Sequence, residues 1–187
     1  QRQVELALRL QASEVERQLA SNAQGPTQEF YLSNDFDSSD HWPPGTELDL
    51  DHAIALPGRT LQAAPLSREH QSFHVPEDAD QADARRAMER LASMDEVYKR
   101  LNVQTPGLFY WQYVTLANGV HSAYPGHGGY PADYDPRERS WFKDAIAAND
   151  LMWSPALVDA STRRLLLTAA MPVRGTKGDV AGVTGVD

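Results

Sequence analysis

A chain of 187 residues is long enough to bury a sizeable core and suits one domain, or one and a half. Apolar residues at 41% and charged residues at 23% are ordinary globular proportions. A formal net charge of −9 with no basic cluster argues against a nucleic-acid partner, and the lack of cysteine excludes disulfides, thiol nucleophiles and Cys-based zinc sites.

No apolar run approaches the ~18 residues of a membrane-spanning helix, and no signal peptide is present. Beginning at Gln1, the sequence reads as an excised part of a longer protein, with any membrane anchor outside it. Residues 2–22 predict a helix within an N-terminal unit over 1–25. Val4, Leu8, Val15 and Leu19 recur at helical spacing on one face, and Leu6 and Leu10 widen the apolar stripe. Gly25-Pro26 ends it. The stripe serves as a core face, with pairing to a second copy of the chain as an addition.

Residues 26–77 show no sustained period and are punctuated by Pro43-Pro44-Gly45, Pro57-Gly58, Pro65 and Pro76. They read as an irregular insertion, part of which wraps the sheet, with residues 35–40 in solvent. Two short apolar runs, 30–32 and 53–56, are strands or turns packed on the body. A second helix is predicted over 78–102, where Ala84, Met88, Leu91, Met94, Tyr98 and Leu101 are spaced by threes and fours and Asp78 or Asp80 supplies the cap.

From 108 onward the chain is a sheet-and-pocket unit, 108–187. Asn118-Gly119 between two aromatic and β-branched runs, 108–116 and 120–124, signals a hairpin. A Gly/Pro-rich loop follows; its Gly126-x-Gly128 is no nucleotide fingerprint, because no six-residue glycine pattern opens a helix after a strand. Asp135-Pro136 suits a helix start, with the helix running to Ala148. Strands over 153–158, 164–173 and 180–186 complete the order. The fold class that follows is α+β, a five-stranded antiparallel sheet backed by helices.

The run Tyr134-Asp-Pro-Arg-Glu-Arg-Ser-Trp-Phe142 carries the most chemistry. A guanidinium (Arg139), an indole (Trp141) and a phenol (Tyr134) packed together hold a small carboxylate; alternatively, Trp141 and Phe142 plug a core. His121, His127, Asp133 and Asp135 match no metal-binding spacing, and His127 reads as a solvated loop histidine, so no metal is expected. His41, His52, His70 and His74 are read as facing solvent. Ser122, Ser140 and Ser154 lie in no nucleophile elbow, and no catalytic residue or cofactor is assigned.

Five stretches resemble the Cache sensor domains, in particular the membrane-distal module of double Cache receptors. They are Asn118-Gly-Val to Ser122-Ala-Tyr-Pro-Gly126, Tyr134 to Phe142, Val158-Asp-Ala160, Thr168-Ala-Ala-Met-Pro-Val173, and Gly182-Val-x-Gly-Val-Asp187. The resemblance implies a PAS-like antiparallel sheet behind a long N-terminal helix, sensing a small molecule outside the cytoplasm for a transmembrane receptor. It implies Tyr134, Arg139 and Trp141 on the ligand's carboxylate side and Asp159 and Asp187 on its amine side. Two positions depart from the family: Phe142 stands for a second aromatic hydroxyl, and Leu157 for a Tyr. Each loss removes a hydrogen bond worth roughly 0.5–1.5 kcal/mol, which counts against an amino acid; a less polar ligand, a simple carboxylate, an amine and no ligand at all stay open. The Tyr124-Pro-Gly-His-Gly-Gly129 wording is similar to Cache modules attached to bacterial serine phosphatases; this chain itself is non-enzymatic in that reading. Two further readings stand beside it: a protein-interaction module of the same fold with a filled pocket, and a metal-dependent enzyme. A second, membrane-proximal module after residue 187 fits the double arrangement.

Overall fold

The computed structural model describes residues 1–21, 29–55, 58 and 60–187. Its centre is a six-stranded antiparallel sheet. The strands run in the order β3 (Ser72–His74), β5 (His121–Tyr124), β4 (Gln112–Leu116), β11 (Val180–Val186), β10 (Ala169–Arg174) and β7 (Met152–Trp153). One strand more than expected is present, because β3 from the supposedly irregular stretch pairs with β5 at one edge while short β7 closes the other.

Side chains alternate across the sheet and divide it into two layers. On β4, Val114 and Leu116 face the helices, while Trp111, at the strand's approach, and Tyr113 face the opposite side. Helix α1 (Arg2–Ala20) lies across β10 and β11 and buries Ala7, Leu8, Gln11, Ala12 and Val15. Leu6 and Leu10 do not widen the buried stripe: they are 62% and 54% exposed, since a helix lying on a sheet covers only its contact face. The expected Gly25-Pro26 stop lies outside the described residues.

The long helix expected over 78–102 is two helices, α2 (Gln81–Leu91) and α3 (Met94–Gln104). Asp80 caps the first through Asp83 N–H at 2.8 Å. The break has a visible cause. The Gln71 side-chain amide donates to Leu91 O and Ala92 O, both at 3.0 Å, and Gln71 N–H donates to Asp95 Oδ1 at 3.0 Å.

The insertion is more ordered than its prolines suggest. It forms a 3-10 turn (Ser33–Asp37) and a hairpin of β1 (Thr46–Ile54) and β2 (Gln62–Ser67); Pro57 lies outside the described residues. Strand β6 (Gly126–His127) joins β2 to make a second, three-stranded sheet. The hairpin's alternation is inverted. Leu48 and Leu50 point outward at 63% and 69% exposure, while Asp49 lies beneath them. There Arg68 and two hydrogen bonds from His52 offset its burial and hold its carboxyl at about 2. His52 is buried rather than solvated. Its ring sits 4.4 Å from Tyr110 and 4.6 Å from Trp111, and its nitrogens reach Asp49 Oδ1 and Tyr110 O, each at 3.1 Å.

The Gly126-x-Gly128 spacing has a packing cause. A Cβ at Gly126 would lie 2.5 Å from His70 O, and one at Gly128 only 2.2 Å from Ser33 O. Backbone approaches backbone at both positions, so the glycines draw the insertion onto the loop.

Candidate functional site

The sheet face opposite the helices is roofed by the 128–139 loop, helix α4 (Ser140–Ala148) and a small hairpin of β8 (Leu157–Val158) and β9 (Leu165–Leu166). Asp135 starts this roof as expected, accepting from Arg137 N–H at 2.9 Å, but the first turn over Pro136–Glu138 is 3-10, and α4 begins only at Ser140.

Between sheet and roof lies a pocket. Six of the seven residues singled out in the sequence line it: Tyr134, Arg139, Trp141, Leu157, Asp159 and Asp187. Phe142 does not. It is buried beside Trp141, ring centroids 5.8 Å apart, in the apolar cluster under α4. Consecutive helical residues diverge by about 100°, so Trp141 reaches the pocket and Phe142 the core.

The polar groups of the lining come from both sheet and roof. Asp187 ends the last strand, and its Oδ1 accepts from Thr168 Oγ1 at 2.5 Å and Tyr113 Oη at 3.1 Å. Burial pushes its carboxyl up to about 7; the Asp159 charge adds to the rise, and the hydrogen bonds and Arg139 oppose it. Asp159 Oδ2 accepts from Ser161 Oγ at 2.8 Å, Thr162 N at 2.7 Å and Thr162 Oγ1 at 2.6 Å. This turn holds the carboxylate in place and leaves Asp159 Oδ1, like Asp187 Oδ2, with no hydrogen bond among the described residues. Arg139 has no carboxylate partner among the described residues. Its Nη2 donates instead to Val158 O at 2.6 Å, tying the α4 side of the roof to the β8 side.

Aromatic groups form the rest. Tyr134 stacks on Tyr130 at 4.7 Å and 11°, and Tyr113 lies 5.0 Å from Trp141. Burial raises the Tyr134 phenol well above its ordinary range, so it stays protonated as a donor. The lining also includes Trp111, Tyr113, His121, His127, Tyr130 and Thr168, none of which the sequence reading assigned. A usable signal existed for Tyr113: Trp111, Tyr113 and Thr115 alternate along one strand face.

His127 is buried at 4% exposure, not solvated. Its ring stacks on Trp111 at 3.8 Å, Nδ1–H donates to Pro125 O at 2.8 Å, and Nε2 accepts from Tyr130 Oη at 2.9 Å. Burial lowers its pKa to about 4. His74 is half-buried, its nitrogens reaching Tyr134 O at 2.9 Å and Ser33 Oγ at 3.2 Å. Among the described residues no group of three His, Asp or Glu side chains is arranged to hold a metal ion. The free volume of the pocket is ≈ 40 Å³, against ~30 Å³ for one water molecule in the liquid.

The family model for the first PDC sensor domain of methyl-accepting chemotaxis protein-like receptors matches residues 101–187. The sheet-and-pocket part of the chain is thus similar to PDC sensor domains, the Cache type. Among particular relatives, the methyl-accepting chemotaxis protein PscA of Pseudomonas syringae pv. tomato is 38% identical over 79 residues, 42% of this chain and 12% of PscA. PctB of Pseudomonas aeruginosa is 34% identical over 79 residues, again 42% and 12%. The match to this chain thus spans a small part of the length of these receptors. Among solved structures, the ligand-binding domain of the P. aeruginosa amino acid chemoreceptor PctC in complex with GABA aligns with a TM-score of 0.40 and 32% identity. It covers 58% of this chain and 44% of that one. The PctB domain in complex with L-Arg aligns at 0.46 and 29%, covering 57% and 43%.

Proposed function

We propose that this chain is the extracytoplasmic, non-enzymatic sensor domain of a membrane-anchored receptor, and that its pocket takes a small amino acid, amine or carboxylate. The observation that carries the reading is a guanidinium with no carboxylate partner among the described residues, lining one aromatic-walled pocket together with two carboxylates that keep open oxygens. A ligand carboxylate exchanges with Val158 O for the Arg139 fork, and Tyr134 donates to it. A ligand ammonium lies between Asp159 and Asp187 against the faces of Trp141 and Tyr113. The amino acid receptors among the relatives agree with this chemistry, and Leu157 favours an apolar ligand flank over a hydroxyl-bonded one.

The output runs to α1. The Tyr113 side chain is in the pocket wall, and its backbone carbonyl accepts from Gln11 Nε2 at 3.2 Å on the other face of the sheet. A shift of β4 on ligand binding is therefore felt by the N-terminal helix. Leu6 and Leu10, exposed one helical turn apart, are the surface through which α1 of two copies would pair. No helix among the described residues is long and apolar enough to cross a membrane, so in this reading the anchor belongs to another part of the receptor.

Thermal-shift screening against amino acids, amines and short carboxylates tests the reading. A ligand at a hundred times its Kd adds about 2.7 kcal/mol, roughly 5–10 °C for a domain of this size. The small free volume favours one rival, a protein-interaction module whose pocket is permanently shut. For that rival the whole panel leaves the melting temperature unchanged.

A further inference from the structure

One polar side chain of the sensing pocket takes no part in the contacts proposed above. His121 stands opposite Thr115 in the β4–β5 pairing, so its ring lies on the same sheet face as Tyr113, and it lines the pocket at 4% exposure. Its Nδ1 is 2.7 Å from Thr115 Oγ1, and its Nε2 has no hydrogen bond among the described residues. The unpartnered side-chain atoms there that are closed to a water molecule are Tyr110 Oη and Trp111 Nε1. His121 Nε2 is not one of them, and the space it meets is the pocket.

We infer that His121 is a specificity-determining residue of this pocket, its Nε2 bonding a hydroxyl on the short side chain of an amino acid ligand. The inference rests on the amino acid form of the function proposed above. Three observations define the hydroxyl. The hydroxyls nearest the ring are already bonded elsewhere: Thr115 Oγ1 to Nδ1, Tyr130 Oη to His127 Nε2 and Tyr113 Oη to Asp187 Oδ1. Burial holds the His121 pKa well below its ordinary value, so the imidazole is neutral at pH 7 and offers no charge to a second ligand carboxylate. Thr115 Oγ1 can donate to Nδ1 or accept from it, which leaves Nε2 a donor or an acceptor, and a hydroxyl answers either. The free volume of ≈ 40 Å³ favours that small group over a carboxamide.

The position of the ring sets where that hydroxyl sits. The His121 ring centre is 6.3 Å from that of Tyr134, the phenol proposed to meet the ligand carboxylate. Asp187, whose N–H donates to Trp111 O, lies by the other end of β4. The hydroxyl is therefore close to the carboxylate, on the β or γ carbon of an α-amino acid. Leu157 belongs to the roof and His121 to the sheet, so a branched side chain can set a methyl group against one and its hydroxyl against the other.

Titration calorimetry with L-threonine, L-allothreonine and L-valine tests this, because the three share a carboxylate, an ammonium and a branched side chain of one shape. The better-bound threonine diastereomer should exceed L-valine in affinity by roughly 2–10-fold, the worth of one hydrogen bond, and His121→Phe should abolish that preference. In protein labelled with 15N-histidine, saturating threonine should move the His121 Nε2 signal further than saturating valine does. L-Valine bound as tightly as both threonines overturns the inference and leaves the amino acid reading standing. An Nε2 signal that answers all three alike, or a threonine preference that survives His121→Phe, does the same. Binding of none of the three overturns the inference outright, and the thermal-shift panel then shows whether the pocket reading falls with it. The wild-type affinities and signal decide the matter even where the substituted protein fails to fold.

Discussion

Asp187 combines two demands that oppose each other at neutral pH. Its carboxyl is pushed from 3.8 to about 7, chiefly by burial, while the proposed role needs it ionised. The folded protein therefore holds a proton that the unfolded chain has already released between about pH 4 and 7. Stability contributed by protonated Asp187 is complete below the lower value and is lost as pH rises through the upper one. Asp187→Asn should flatten this fall, which melting temperatures measured from about pH 5 to 8 will show. Binding has the opposite sign. An ammonium ligand pulls the group into its charged form, so affinity should weaken by up to about tenfold per pH unit below about 7. Calorimetry in buffers of different ionisation heat should also detect the released proton.

Residues in recognisable local wording were legible: Tyr134, Arg139 and Trp141 surround a helix start, and Asp159 and Asp187 sit where strands end. His127 and His52 were not, because their burial depends on a hairpin more than 50 residues from one of them in sequence. Nothing local distinguishes a histidine that such a hairpin covers from one in water. Phe142 was assigned to the wrong side of α4 for a related reason. Wording gives adjacency along the chain, whereas the direction of a side chain depends on where the helix begins.

Helices, strands and turns separate by the same logic. The α1 stripe and the Asn118-Gly119 hairpin follow from periodicity and turn chemistry, both carried within a few residues. The break between α2 and α3 comes from Gln71, a residue outside both helices, and no periodicity in the helices announces it. The β1–β2 hairpin was hidden by its inverted alternation, with leucines outward and Asp49 inward. Two element-level predictions follow. Gln11 is fully buried and donates to Thr184 Oγ1 at 2.7 Å while accepting from Gln112 Nε2 at 3.1 Å. Gln11→Leu leaves Gln112 short of a partner and should cost ~1–3 kcal/mol, read as a lower urea midpoint at unchanged slope. Gly128→Ala sets a methyl group against Ser33 O and should also cost ~1–3 kcal/mol. Its melting temperature should fall, whereas substitution at Gly58, where a Cβ meets nothing within 4 Å, should change stability less despite its positive φ of 69°.

At the scale of the whole molecule, the sheet separates the pocket from the N-terminal helix. One face carries the pocket and its roof; the other carries α1, joined to β4 and β11 through the Gln11 amide. The insertion adds a second small sheet beside the roof and shares Trp111 and His127 with it. The proposed site requires that Arg139 hold the carboxylate of a small ligand. Titration calorimetry of the wild-type domain and Arg139→Ala, against the compounds that raise its melting temperature, tests this most directly. A lost charge-assisted hydrogen bond is worth ~1.5–3 kcal/mol, so the substitution should weaken carboxylate-bearing ligands by roughly 10–100-fold and leave plain amines nearly unaffected. Carboxylate ligands bound equally well by both proteins would contradict the site.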